Sequence, residues 1–157
     1  MGDVDRSAVV MSIRKPYADA IMRGEKAWEF RRRPLPAGVR TVLVNVTGPW
    51  PSRRGVVGWF EVGGQATQAV FLWSSGPWSR GYSTVQVDPS YGISIDDLAR
   101  YASRGVTVPA EVTGISVLRP VLLAEPIPLA TLGLTCSPQS WQYAPTGWRD
   151  LLVAVPA

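Results

Sequence analysis

Short apolar runs, each broken by proline or glycine, recur along this chain, and they constrain its fold more than any other feature. Ala8-Val9-Val10-Met11-Ser12-Ile13 suits a buried strand, and Arg14 and Lys15 close it. Thr41-Val42-Leu43-Val44-Asn45-Val46 forms a second, stopped by Gly48-Pro49-Trp50-Pro51. In Gly55-Val56-Val57-Gly58-Trp59-Phe60-Glu61-Val62 the glycines call for a bulge or a close backbone approach. Val112 to Glu125 reads as a long strand with Pro120 setting a bulge or an edge in its middle. No run reaches the roughly 18 apolar residues of a membrane span. Asp3 and Asp5 stand where a signal peptide carries positive charge, so a cytoplasmic protein is expected.

Between these runs the pattern changes period. Pro16 occupies the favoured first turn of a helix, and Tyr17, Ala20 and Ile21 follow at helical spacing until Gly24. Ala27-Trp28-Glu29-Phe30-Arg31 then alternates, predicting a strand with one buried face, Trp28 and Phe30 opposite Glu29 and Arg31. Ala66 to Trp73 fits helix or strand, Ser74 to Tyr91 reads as a long loop, and Ser94-Ile95-Asp96-Asp97 reads as the cap of a helix through Ser103. A helical turn is expected at Leu129 to Leu132, and Trp148 to Val153 packs back as helix or strand. The expected fold is mostly β (α+β), a small β-barrel with one or two peripheral helices. One domain over 1–157 is expected, with 63–92 a loop-rich insertion and 126–157 a C-terminal extension packing on the barrel.

Composition narrows the chemistry. The chain has no histidine and a single cysteine, Cys136, so histidine relays are excluded and only carboxylates remain as metal ligands. Neither metal nor cofactor is expected. Of 16 positive residues, all are arginine except Lys15 and Lys26, and an amine is the basic group whose pKa shifts most readily. A net charge of +4 admits an anionic partner.

The segment from Ser12 to Arg32, with Lys15-Pro16-Tyr17-Ala18, then Ile21-Met22-Arg23-Gly24-Glu25-Lys26, then Glu29-Phe30-Arg31, resembles the opening of an ASCH domain, a family with a PUA-like β-barrel fold. Ser137-Pro138-Gln139-Ser140-Trp141-Gln142-Tyr143 is similar to an element of its longer bacterial and phage members, while 63–92 carries no recognised motif of the family. The resemblance implies a cleft that binds RNA or a nucleotide-like ligand. Ribonuclease action and hydrolysis of N4-acetylcytidine occur among such proteins. The amidohydrolases use a lysine after the glycine turn, a threonine three residues on and a glutamate on a later strand. Lys26 matches the lysine and Glu61 the glutamate, but Glu29 stands at the threonine position, which removes the presumed nucleophile.

The candidate catalytic set is therefore Lys26, Glu29 and Glu61, able together to hold or move a proton. Arg31 and Arg53 would contact phosphates, and Trp50 and Trp141 would stack bases. Ser12, Lys15, Tyr17, Gln139 and Ser140 would complete the cleft, with Gln139 and Ser140 offering an amide and a hydroxyl to a base edge. Three functions fit these residues: binding of RNA or a modified nucleotide with ribonuclease-like processing, hydrolysis of an N-acylated nucleoside, and a regulatory protein-interaction module.

Overall fold

The computed structural model of the chain describes residues 2–49, 55–74, 80–84 and 110–153. The expected helix at Ser94 to Ser103, and the candidate residues Trp50 and Arg53, lie outside the described residues. In chain order the elements are β1 (Val4–Arg14), α1 (Lys15–Met22), β2 (Trp28–Arg31), β3 (Thr41–Thr47), β4 (Gly55–Ser74), β5 (Arg80–Thr84), β6 (Ala110–Ile127), a 3-10 turn (Leu129–Leu132), β7 (Trp141–Pro145) and α2 (Trp148–Val153). The mostly-β character with small helices is as the sequence led us to expect.

Two compact units partition the chain. The first comprises Met1–Lys26, Pro36–Val62 and Val117–Ala157, and the second Ala27–Leu35 and Gly63–Ser116. In the first, the strand order is β6-β4-β3-β1-β7; in the second, β2 and β4 flank β6, and β5 pairs with β4. Among the described strands this order is an open path, and no pairing closes it into the expected barrel.

β1 and β3 run parallel with Ala8 opposite Thr41 and Ser12 opposite Asn45, and β1 pairs antiparallel with β7 on its other edge. A strand flanked on both sides has to be apolar on both faces, and Ala8 through Met11 are completely buried. Ala8, Val10, Leu43, Val56, Ile127 and Ala144 join Trp148 and Leu152 in one core cluster. α2 thus lies on the sheet. Trp148, whose neighbours Gly147 and Arg149 give it a polar setting in the sequence, is 2% exposed, meets Trp59 edge-on at 6.2 Å and donates its indole N–H to Asp5 at 3.0 Å.

β4 passes antiparallel to β3, with Glu61 opposite Thr41 and a register shift between Val44 and Asn45. The two glycines that flagged close approach perform that role. A Cβ on Gly58 would stand 2.1 Å from the Val121 carbonyl oxygen and 2.8 Å from the Met22 sulfur, and Gly55 sits at φ +84° against Ile127. The break expected at Pro120 is visible as Arg119 at φ +48°, the one non-glycine residue with positive φ among the described residues.

In the second unit β2 pairs antiparallel with β6, Trp28 opposite Ser116 and Arg31 opposite Thr113. Both faces of β2 are covered: Glu29 is 7% exposed and Phe30 8%, where the sequence pattern had put Glu29 on an open face. Thr67 and Thr113 hydroxyls meet at 2.8 Å between β4 and β6. β4 continues through Ala66 to Trp73 as strand, and β5 interrupts the long loop expected from Ser74 to Tyr91, pairing Ser74 with Arg80 and Val70 with Thr84. Glycine, serine and proline outweighed β-propensity in the sequence reading there, whereas pairing to a long neighbour decides the backbone.

Candidate functional site

α1 starts where proline allows it. Arg14 holds an extended conformation at the N-cap, Pro16 fills the first turn, and Ala18 and Ile21 turn inward. The helix ends at Arg23, and Gly24 at φ +75° reverses the chain. The amides of Glu25 and Lys26 both donate to the Ala20 carbonyl, at 2.9 and 3.1 Å. Lys26 is thereby folded back on the helix, and its ammonium stands 5.9 Å from the centroid of the Tyr17 ring. That ring is 56% exposed.

Lys15 faces another side of α1. Its ammonium pairs with Asp19 one turn on. Lys15, Asp19, Met22 and Arg23, at helical spacing, line a cavity of about 390 Å³ whose other wall includes Val57 and Leu123. Tyr17, two residues on, is roughly 200° round the helix. Lys15 is the one candidate residue lining this cavity among the described residues.

The C-terminal element is fastened to the end of β1 by Ser12. The Ser12 hydroxyl donates to the Pro138 carbonyl at 2.6 Å, and the Ser12 amide donates to the Ser140 carbonyl at 2.9 Å. Asn45, opposite Ser12 in the parallel pair, donates through Nδ2 to the hydroxyls of Ser12 at 3.2 Å and Ser137 at 3.1 Å. Asn45 is 1% exposed. Gln139 and Ser140 are exposed, and Trp141, half-buried opposite Met11, meets Tyr143 edge-on at 5.3 Å.

The three candidate catalytic residues have different surroundings. Glu61 accepts from Arg119, and this hydrogen bond, with the guanidinium charge behind it, holds the Glu61 carboxyl below the usual range. Among the described residues its ion-pair partner is Arg119 and not Lys26. In the second unit Glu29 and Arg31, two residues apart on β2, form an ion pair at 3.3 Å with both side chains largely covered. No group of His, Cys, Asp or Glu among the described residues is arranged to hold a metal ion, and no helix there is long and apolar enough to cross a membrane. Cys136 is exposed and unbridged.

Asn45, Ser137 and Arg119 escaped the sequence reading. Asn45 was detectable as the one amide inside an otherwise apolar run, and Arg119 as the residue before Pro120. Nothing local marked Ser137 as its partner.

Residues 11–118 match the sequence profile of the ASCH domain. The chain belongs to the ASCH domain family. Its fold is similar to that of the ASCH protein of Zymomonas mobilis, whose crystal structure superposes with a TM-score of 0.67 over 98% of this chain and 98% of that one, at 22% identity. A serine-to-alanine mutant of the Zymomonas protein matches at TM-score 0.66 and 22% identity over 96% and 97% of the two chains, and a tyrosine-to-phenylalanine mutant at 0.65 and 21% over 96% and 99%. No curated protein matches the chain. The ASCH match takes in Ser12, Lys15, Tyr17, Lys26, Glu29 and Glu61, whereas the turn at 137–140 lies beyond it.

Proposed function

We propose that this ASCH domain binds single-stranded RNA or a modified nucleotide on the surface around α1, with the Tyr17 ring as the stacking platform. The observation that supports this most is the exposed Tyr17 ring with the Lys26 ammonium beside it. An exposed aromatic face stacks any base, and a neighbouring cation attracts the phosphate that follows. Lys15, on another side of α1, and Gln139 and Ser140, on the turn fastened to Ser12, are further contacts in this reading. Arg53, Trp50 and Trp141 are secondary contacts in this reading. The site works in the cytoplasm without metal or cofactor.

The test is fluorescence anisotropy of labelled single-stranded RNA at rising salt. Affinity should fall steeply with salt and weaken in Tyr17→Ala, and undetectable binding at low salt would remove this reading. Processing of the bound RNA, or hydrolysis of an N-acylated nucleoside, would draw on Lys26 with Glu61. The Arg119 contact lowers the Glu61 pKa, which keeps the carboxylate ionised and so unsuited to donate a proton, and also weakens it as a base. Turnover of an N-acylated nucleoside panel that disappears in Lys26→Ala would favour that chemistry over binding alone.

A further inference from the structure

Asn45 is costly where it stands. A carboxamide at 1% exposure in an apolar strand loses its water, and burial is tolerated only when partners replace it. Both N–H groups of its Nδ2 go to hydroxyls, one on Ser12 and one on Ser137, rather than to the sheet. The Ser12 hydroxyl passes the interaction on by donating to Pro138, while the Ser12 amide takes the Ser140 carbonyl. The carbonyls on both sides of Gln139 are therefore bonded to one residue of β1. Gln139 itself is exposed, and its amide has no hydrogen-bond partner among the described residues. A flexible, polar side chain thus projects from a backbone fixed at both flanks.

We infer that Gln139 is a specificity-determining residue that reads a base edge, and that Asn45 is the positioning residue that sets it through Ser12 and Ser137. This rests on the RNA-binding reading above. A carboxamide carries one donor group and one acceptor side by side and pairs with any open base edge that offers the complement, so the direction in which the fixed turn presents it decides which base is favoured. Such a pair discriminates only if the backbone beneath it is immobile, because each freely turning bond dilutes the favoured geometry. Stacking on Tyr17 is indifferent to base identity, so the two residues divide the work between affinity and choice.

The experiment measures anisotropy of labelled eight-nucleotide oligo-A, oligo-U, oligo-C and oligo-G at one low salt concentration, with thermal melting of every variant alongside. The natural protein should favour one of the four oligomers by about ten-fold over the weakest. Gln139→Leu should bind all four within about two-fold of one another while keeping the salt-dependent part of its affinity. Asn45→Ala should lose the same preference with Gln139 still present. Ser12→Ala should do likewise and Ser12→Thr, which keeps the hydroxyl, should retain the preference. Equal affinity of the natural protein for the four oligomers overturns the inference and leaves RNA binding standing. Preference that survives Gln139→Leu, or that survives both Asn45→Ala and Ser12→Ala, also overturns it. Absence of binding to every oligomer removes the RNA reading and this inference with it. Should Asn45→Ala not fold, the two Ser12 variants decide.

Discussion

Glu61 accepts hydrogen bonds from both Nε and Nη2 of Arg119, a residue 58 positions away whose backbone lies at φ +48° directly before Pro120. A non-glycine residue in the left-handed region is strained, and here its guanidinium closes on one oxygen of the Glu61 carboxylate. Because this contact lowers the Glu61 pKa, the unfolded chain binds its proton more readily than the folded one. Its contribution to stability is present above the unfolded pKa and is lost as pH falls through the folded value. Arg119→Ala should bring the Glu61 titration, followed by carbon-detected NMR, up to the ordinary glutamate range. An unmoved titration would show that the bridge does not set it.

Asp5 fastens α2 from the other end of the chain. Its carboxyl sits below the usual range because the Ser7 hydroxyl and amide donate to it, with the Trp148 indole and the Arg149 charge adding to the effect. Asp5→Ala should leave the buried Trp148 N–H without its acceptor and lower unfolding free energy by about 1–3 kcal/mol in urea melts. The natural protein should lose this contribution as pH falls through the folded Asp5 pKa, and the variant should show a flatter acid limb. Equal acid sensitivity in both would contradict the assignment.

Gly58 has no room for a side chain. The Val121 carbonyl oxygen at 2.1 Å from an added Cβ belongs to a paired backbone and cannot rotate away, and the Met22 sulfur closes the other side. Gly58→Ala should therefore cost about 1–3 kcal/mol or more by forcing β4 from β6, measured by thermal melting. Gly38, where an added Cβ meets nothing within 4 Å, is the control: Gly38→Ala should melt close to the natural protein.

On the binding surface, Tyr17→Ala and Lys26→Ala should weaken RNA in different ways. Loss of the ring should remove about 1–3 kcal/mol with the salt slope unchanged, since stacking displaces no counterion. Loss of the ammonium should lower the slope of log affinity against log salt by about one. Isothermal titration at three salt concentrations separates the two, and identical slopes in the natural protein and Lys26→Ala would exclude Lys26 from phosphate contact.

What the sequence made legible followed local rules. Proline at the first turn and glycine after the last fix α1 within a residue or two, and the β-branched runs mark β1 and β3. The strand at Arg80 to Thr84 was hidden because its pairing partner at Val70 to Ser74, not its own glycine and serine, makes it a strand. The same distinction runs through the candidate site. Lys26 and Tyr17 meet within a helix and its turn, a spacing that can be read from the chain. Ser12, Asn45 and Ser137 come together only by the parallel register of β1 and β3 and the return of the C-terminal element, and no window of sequence contains all three. Glu61 can be matched to the family's glutamate by its place along the chain, whereas its ion pair with Arg119 depends on β4 lying beside β6.

The pairing of β1 with β7 has a consequence in time. Val9, Val10 and Met11 are synthesised well over a hundred residues before their partners Tyr143, Gln142 and Trp141. At ordinary rates of elongation the interval is on the order of ten seconds. During it one edge of the apolar stretch Ala8 to Met11 waits with its amides and carbonyls unmatched, a condition that invites pairing with other chains. The long loop that must close before that edge is covered makes for slow folding. Growth temperature and chaperone supply should therefore govern the yield of native protein more strongly than the stability of the finished fold does.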